Sequence, residues 1–134
     1  IHLGEPGAGI AEPAQWPRSL AAKLTGPPDP RMKPDQWAAL KAFRAWMLRV
    51  ECARLHAALL LAGRDEAAMA VADVLLKSEN SALNRRSLVA AALASRQARP
   101  QHLTWLDGAT DNQASTDALR THAGELLRAK KTDP

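Results

Sequence analysis

The sequence predicts an all-α fold: a small helical-hairpin bundle of four to five helices with an extended, Pro/Gly-rich N-terminal arm. Two observations carry this. Residues 34–99 are dense in Ala, Leu and Arg, which favour helix, whereas residues 1–33 are broken up by Pro and Gly. No stretch alternates apolar and polar residues as a half-buried strand would. The length of 134 residues allows one domain with a real core, and 46% of residues are apolar. With one Phe, no Tyr and four Trp, much of that apolar content is Ala. Such a core must bring helices close together, with Leu and Trp filling the gaps. The chain divides into residues 1–33, an arm with a short helix and a Pro-rich linker, and residues 34–134, the helical domain.

Residues 1–16 carry two Pro and three Gly and read as an extended arm whose Ile1, Leu3, Ile10 and Trp16 gain by burial. Pro17 suits the first position of a short helix through Leu20, Ala21 and Leu24, ending at Gly26. GPPDPRMKP then reads as a stiff linker with polyproline II character. Pro34 opens a long helix that runs to Ala62, with Gly63 as its stop. Those ~29 residues would span roughly 43 Å.

That helix is apolar on two sides. One stripe, Ala39, Phe43, Trp46, Val50, Ala53, Ala57 and Leu60, has the alternating 4,3 spacing of a bundle seam and is expected to be buried. The other, Trp37, Leu48, Leu55 and Leu59, lies more than ~100° around the helix and is either a second internal face or a partner surface. Asp65 can cap a helix over 66–77, with Ala67, Ala70, Val71, Val74 and Leu75 inward. SENS at 78–81 is a turn, and Ser81 a plausible N-cap for a helix over 82–98 that Pro100 ends. His102–Leu106 suits one helical turn. Ser115 or Thr116 caps a last helix to about Lys130, weakened by Gly124 by roughly 1 kcal/mol relative to Ala.

Residues 53–80, and in particular Gly63-Arg64-Asp65-Glu66-Ala67 with Val71 four residues on, resemble a tetratricopeptide-type helical hairpin. In that family the Gly turn reverses the chain and the small Ala lets two helices touch. Glu51 stands where the pattern has Trp, and Glu79 where it has the closing Pro. The resemblance implies protein binding, since such hairpins form grooves for extended or helical segments.

Net charge is +4 with a pI of about 9.7. The excess is diffuse: residues 1–33, 34–63, 64–99 and 100–134 carry +1, +2, +2 and −1. No block of five like charges marks a nucleic-acid tail, so nucleic acid ranks below protein as a partner. Arg85, Arg96 and Arg99 fall on one side of the 82–98 helix and form the best candidate recognition stripe, for carboxylate or phosphate. The bland reading is a solvated helix face.

Catalytic and cofactor chemistry finds little footing. Cys52 and His56 share a helix face, but a structural zinc site needs four ligands, and His2, His102 and His122 are scattered singly. The expected reading is a buried or interfacial small residue beside a surface histidine, with no metal. The lone Cys excludes an intrachain disulfide. Gly4–Gly9 lacks the strand, Lys and spacing of a phosphate loop. Ser87, Ser95 and Thr104 sit in no nucleophile elbow, and Asp65-Glu66 suits a helix N-terminus. No cofactor is expected. The longest uninterrupted apolar run, Ala57–Ala62, is far short of a ~20-residue membrane span. A chain starting at Ile1 reads as processed or a fragment, and a removed signal peptide stays open.

The expected function is therefore non-catalytic: a structural or adaptor subunit docking onto a larger protein assembly. Its expected contacts are Trp37, Leu48, Leu55 and Leu59, then Arg85, Arg96 and Arg99, and the arm's Ile10 and Trp16. A small helical chaperone holding a client helix, or a basic nucleic-acid binder, are the alternatives.

Overall fold

The computed structural model describes residues 15–24, 26–27, 29–109 and 112–132. The expected arm, Ile10 included, lies outside them up to residue 14. Every regular element among the described residues is helical: α1 Gln15–Leu24, α2 Pro34–Leu61, α3 Asp65–Ser78, α4 Ala82–Ala94, α5 Pro100–Asp107 and α6 Gln113–Thr132.

α2 is unbroken along its 28 residues. Pro34 sits in its first turn, where a missing N–H costs nothing. The Gln36 side chain reaches back to accept the Lys33 backbone N–H at 3.0 Å. Its C-terminus closes as a Schellman turn. Gly63 N–H bonds the Leu60 carbonyl and Arg64 N–H the Leu59 carbonyl, at 3.0 and 2.8 Å. Gly63 has φ +77, the left-handed conformation that a residue with a Cβ resists. The turn sends α3 back along α2. Arg64, not Asp65, holds the cap position of α3, and Asp65 is its first helical residue.

Ser81 caps α4 as expected, its Oγ accepting the Asn84 N–H at 3.1 Å. The helix then stops at Ala94, four residues earlier than the sequence predicts. Arg96 N–H bonds the Leu93 carbonyl and Gln97 N–H the Ala92 carbonyl, both at 2.9 Å. This is a second Schellman turn, with Arg96 at φ 59 where Gly63 stands in the first. Without a glycine the stop carries no sequence signal. Pro100 does not end α4; it opens α5. α6 starts before Ser115, because Asn112 Oδ1 accepts the Ser115 N–H at 3.1 Å. Thr116 is buried inside α6, its hydroxyl donating to the Ala109 carbonyl at 3.0 Å.

α2 is the axis. α1, α3 and α4 pack directly on it, while α5 and α6 pack on α4 and on each other. The core combines Leu48, Cys52, Leu59 and Leu60 of α2 with Val71, Ala72 and Leu75 of α3, Leu88, Val89 and Leu93 of α4, and Trp105 and Leu106 of α5. Fully buried Ala68, Ala72 and Ala92 let these helices approach closely, as the Ala-rich composition requires.

Candidate docking groove

α2 and α4 are the first and third strokes of an up–down–up path, so they run side by side in one direction. Arg49 Nε donates to Asn84 Oδ1 at 2.7 Å and joins the middle of α2 to the start of α4. Beyond this bond the helices leave an open cleft of about 730 Å³. Its wall is largely apolar and rich in Ala: Ala53, Ala57 and Ala58 from α2, Ala90, Ala91 and Ala94 from α4. Trp46, Val50, Leu61 and Leu83 stand exposed around it, and Phe43 lies against Trp46 with ring centroids 6.0 Å apart. Exposed apolar residues scattered singly need no explanation, but here they share one concave strip.

This strip corrects the first stripe. Ala53, Ala57 and Leu60 are buried as expected, but Ala39 is exposed and Phe43, Trp46 and Val50 are 52%, 53% and 38% exposed. The second stripe faces largely into the chain's own core. Leu48 and Leu59 are core residues, Leu55 packs on the core, and Trp37 is half-buried beneath the Arg44 guanidinium, 5.8 Å from its ring. As partner contacts, Leu48 and Leu59 are therefore displaced by the groove residues on the opposite side. Trp16, in the first turn of α1, is 52% exposed.

The three arginines do not form one stripe, because α4 ends before Arg96. Arg85 donates from Nε to Asn80 Oδ1 at 2.8 Å and from a terminal nitrogen to the Trp105 carbonyl at 3.2 Å. It passes over Gly108, where a Cβ would collide with its guanidinium. Arg99 grips Asp65 with two bonds, 2.7 and 3.2 Å, and reaches the Leu60 carbonyl at 3.4 Å. That grip holds the Asp65 carboxyl below the usual carboxylate range. Arg96 is exposed and shares a small cleft with Arg99, Leu126 and Lys130, away from Arg85.

His56 is not on the surface. His56 and His102, 46 residues apart, are both fully buried and meet Nε2 to Nε2 at 3.0 Å. His56 Nδ1 lies 2.8 Å from the Ala68 carbonyl, and His102 Nδ1 accepts the Arg99 backbone N–H at 3.0 Å. Trp105 packs 5.4 Å from both rings. Burial lowers the pKa of each imidazole, that of His102 to about 3, aided by the His56 and Arg99 charges. Burial and the neighbouring Glu51 push the Cys52 thiol up to about 12, so its thiolate is scarce at neutral pH. Among the described residues no three His, Cys, Asp or Glu side chains are placed to hold a metal ion. No helix there is long and apolar enough to cross a membrane.

Comparison with protein-family models, curated proteins and solved structures finds no match.

Proposed function

We propose that this chain is a non-catalytic docking subunit that holds one amphipathic helix of a partner protein in the groove between α2 and α4. The observation that carries the reading is the groove's construction. Six alanines make a wall that a third helix can approach at close range, and Trp46, Val50, Leu61 and Leu83 supply the large contacts. α2 already has α1, α3 and α4 around its other sides, so a docked helix would complete its packing. From Trp46 to Leu61 the groove runs about 22 Å, the length of four helical turns. Arg49 and Arg54 are the ionisable side chains on its wall; Arg54 is ion-paired with Glu51, but Arg49 bonds only the neutral Asn84 and keeps its charge, which favours a partner helix with acidic flanks. Trp and Arg are also the residue types that most often dominate binding energy.

The test uses three synthetic amphipathic 16-residue helices with the same apolar face: acidic flanks, basic flanks, and a scrambled sequence. Fluorescence anisotropy should show the acidic peptide binding at least about tenfold tighter than the other two. Val50→Asp should remove that binding while leaving the circular dichroism spectrum unchanged. Equal binding of all three peptides, no binding at all, or indifference to Val50→Asp would reject the reading. So would a concentration-dependent dimer, abolished by Val50→Asp, in light scattering, because a second copy would then own the groove.

A further inference from the structure

We propose that the His56–His102 contact is an acid-sensitive latch: it holds the start of α5 against the turn between α2 and α3, and opens when the rings take up protons. Hydrogen-bond bookkeeping supplies the mechanism. The Arg99 backbone N–H can only donate, so His102 Nδ1 is unprotonated and its proton sits on Nε2. That Nε2–H then donates to His56 Nε2. His56 must therefore carry its proton on Nδ1, which donates to the Ala68 carbonyl. The chain from Arg99 through both rings to Ala68 uses all four ring nitrogens. Both imidazoles are neutral, each in one fixed tautomer, with no lone pair left over. An added proton must go on His56 Nε2, where it faces an N–H, or on His102 Nδ1, where it faces the Arg99 amide. Either position turns a hydrogen bond into a repulsion in a site without solvent access.

The surrounding charges do not relieve this. From α2, Cys52 lies one turn before His56 as a buried neutral thiol. From α3 comes Asp65, whose carboxylate would favour a cation but is engaged by Arg99. Arg99 itself repels one. From α4, Arg85 sits on the Trp105 carbonyl, and from α6, Lys130 acts on Asp65.

The latch is local because α5 and α6 rest mainly on α4. Against α2 and α3, α5 and the residue before it place the histidine pair, the Trp105–His56 contact and the Arg99 bonds to Asp65 and Leu60. Losing the pair frees the first turn of α5 from the hairpin. Opened, each histidine titrates near its ordinary 6.5. The closed form holds both imidazole pKa values below that, so closure is fully favoured above about pH 6.5 and weakens as pH falls below it. The open-to-closed ratio then rises with falling pH and approaches tenfold per pH unit for each histidine well below about pH 6.5. Between pH 6.5 and pH 5 that is about 16-fold for one ring and about 270-fold for both, because each open-form ring is already half-protonated at pH 6.5.

Imidazole ¹⁵N spectra and residue-resolved hydrogen exchange on the intact chain from pH 7.5 to 4.5 test this. At pH 7.5 His56 should be the Nδ1–H tautomer and His102 the Nε2–H tautomer. As pH falls, exchange corrected for intrinsic rate should rise first at 99–107, together with a shift of the Trp105 indole signal. In His102→Gln, whose amide can accept from Arg99 and donate to His56, the steepness of this response should fall by about half. Should that variant not fold, the wild-type titration decides alone. Two wild-type results would overturn the latch: imidazoles that titrate near 6.5 with no change at 99–107, or all six helices opening together at one pH.

Discussion

Leu48 and Trp46 stand two residues apart on α2, about 200° around the helix, and their truncations should rank opposite to their size. Leu48 is 1% exposed within the core, so Leu48→Ala loses transfer energy and leaves a cavity; about 3–4 kcal/mol is expected. Trp46 is 53% exposed. Of the up to ~250 Å² a Trp can bury, about 100 Å² is covered here, worth up to ~2.5 kcal/mol at about 25 cal/mol/Å². Compactness of the unfolded chain trims this to roughly 1.5–2 kcal/mol, and water fills the space left, so no cavity cost is added. Urea unfolding followed by circular dichroism reads both. With a slope near ~1.5 kcal/mol/M, the midpoint should fall by about 2–2.5 M for Leu48→Ala and about 1 M for Trp46→Ala. A Trp46→Ala loss equal to or larger than that of Leu48→Ala would mean that Trp46 is covered in the free chain, and the groove argument would fail with it.

The two Schellman turns make a matched pair of tests. Arg96→Gly should stabilise by about 1 kcal/mol, because the left-handed conformation costs glycine nothing, while Gly63→Ala should cost about as much, with no steric clash involved. Asn84→Ala should cost about 1–2 kcal/mol in thermal or urea unfolding, since buried Asn84 bridges Arg49 and the Glu79 carbonyl at 2.7 and 2.8 Å. Cys52 should resist a thiol reagent at pH 8 in the native protein and react at once in denaturant; fast native labelling would contradict its burial.

Local signals placed most helix ends. Pro34, Gly63 and Ser81 each act through backbone chemistry that needs no neighbour, and each does so here. Where the signal was missing, the boundary moved: Arg96 makes a glycine's turn without being glycine, and Pro100 opens a helix as readily as it ends one. The two stripes of α2 were legible, but not which part of each is covered. That depends on where α1, α3 and α4 lie, and both stripes are apolar enough to bury. The end of the first stripe rich in small residues, Ala53 and Ala57, was covered, and its aromatic end, Phe43 and Trp46, was left out. The histidine pair was illegible for a related reason. His102 looks isolated in sequence, and only the fold closes the 46-residue gap to His56.

The basic composition also takes on a different meaning in the fold. A helix C-terminus presents carbonyls without partners and favours a cation. The last turns of α2 and α5 contain no basic residue. Arginines from elsewhere reach those ends: Arg99 bonds the Leu60 carbonyl of α2 at 3.4 Å, and Arg85 the Trp105 carbonyl of α5 at 3.2 Å. Arg44 does the same at the end of α1, 3.5 Å from the Lys23 carbonyl. These partners are 39, 20 and 21 residues away, so each contact ties one helix end to another element. Such arginines are committed to the protein's own carbonyls, and two of the three residues in the supposed recognition stripe are among them. Three of the 18 basic residues are thus tied up within the fold, so the high pI is a weaker sign of a phosphate-binding surface than the count alone. Binding to random duplex or single-stranded DNA at micromolar protein and physiological salt should therefore be undetectable or nearly flat on a log–log salt plot, whereas contact with several phosphates gives a steep line. A slope of about −4 or steeper would require at least four cations to meet phosphate, and would put nucleic acid among the partners.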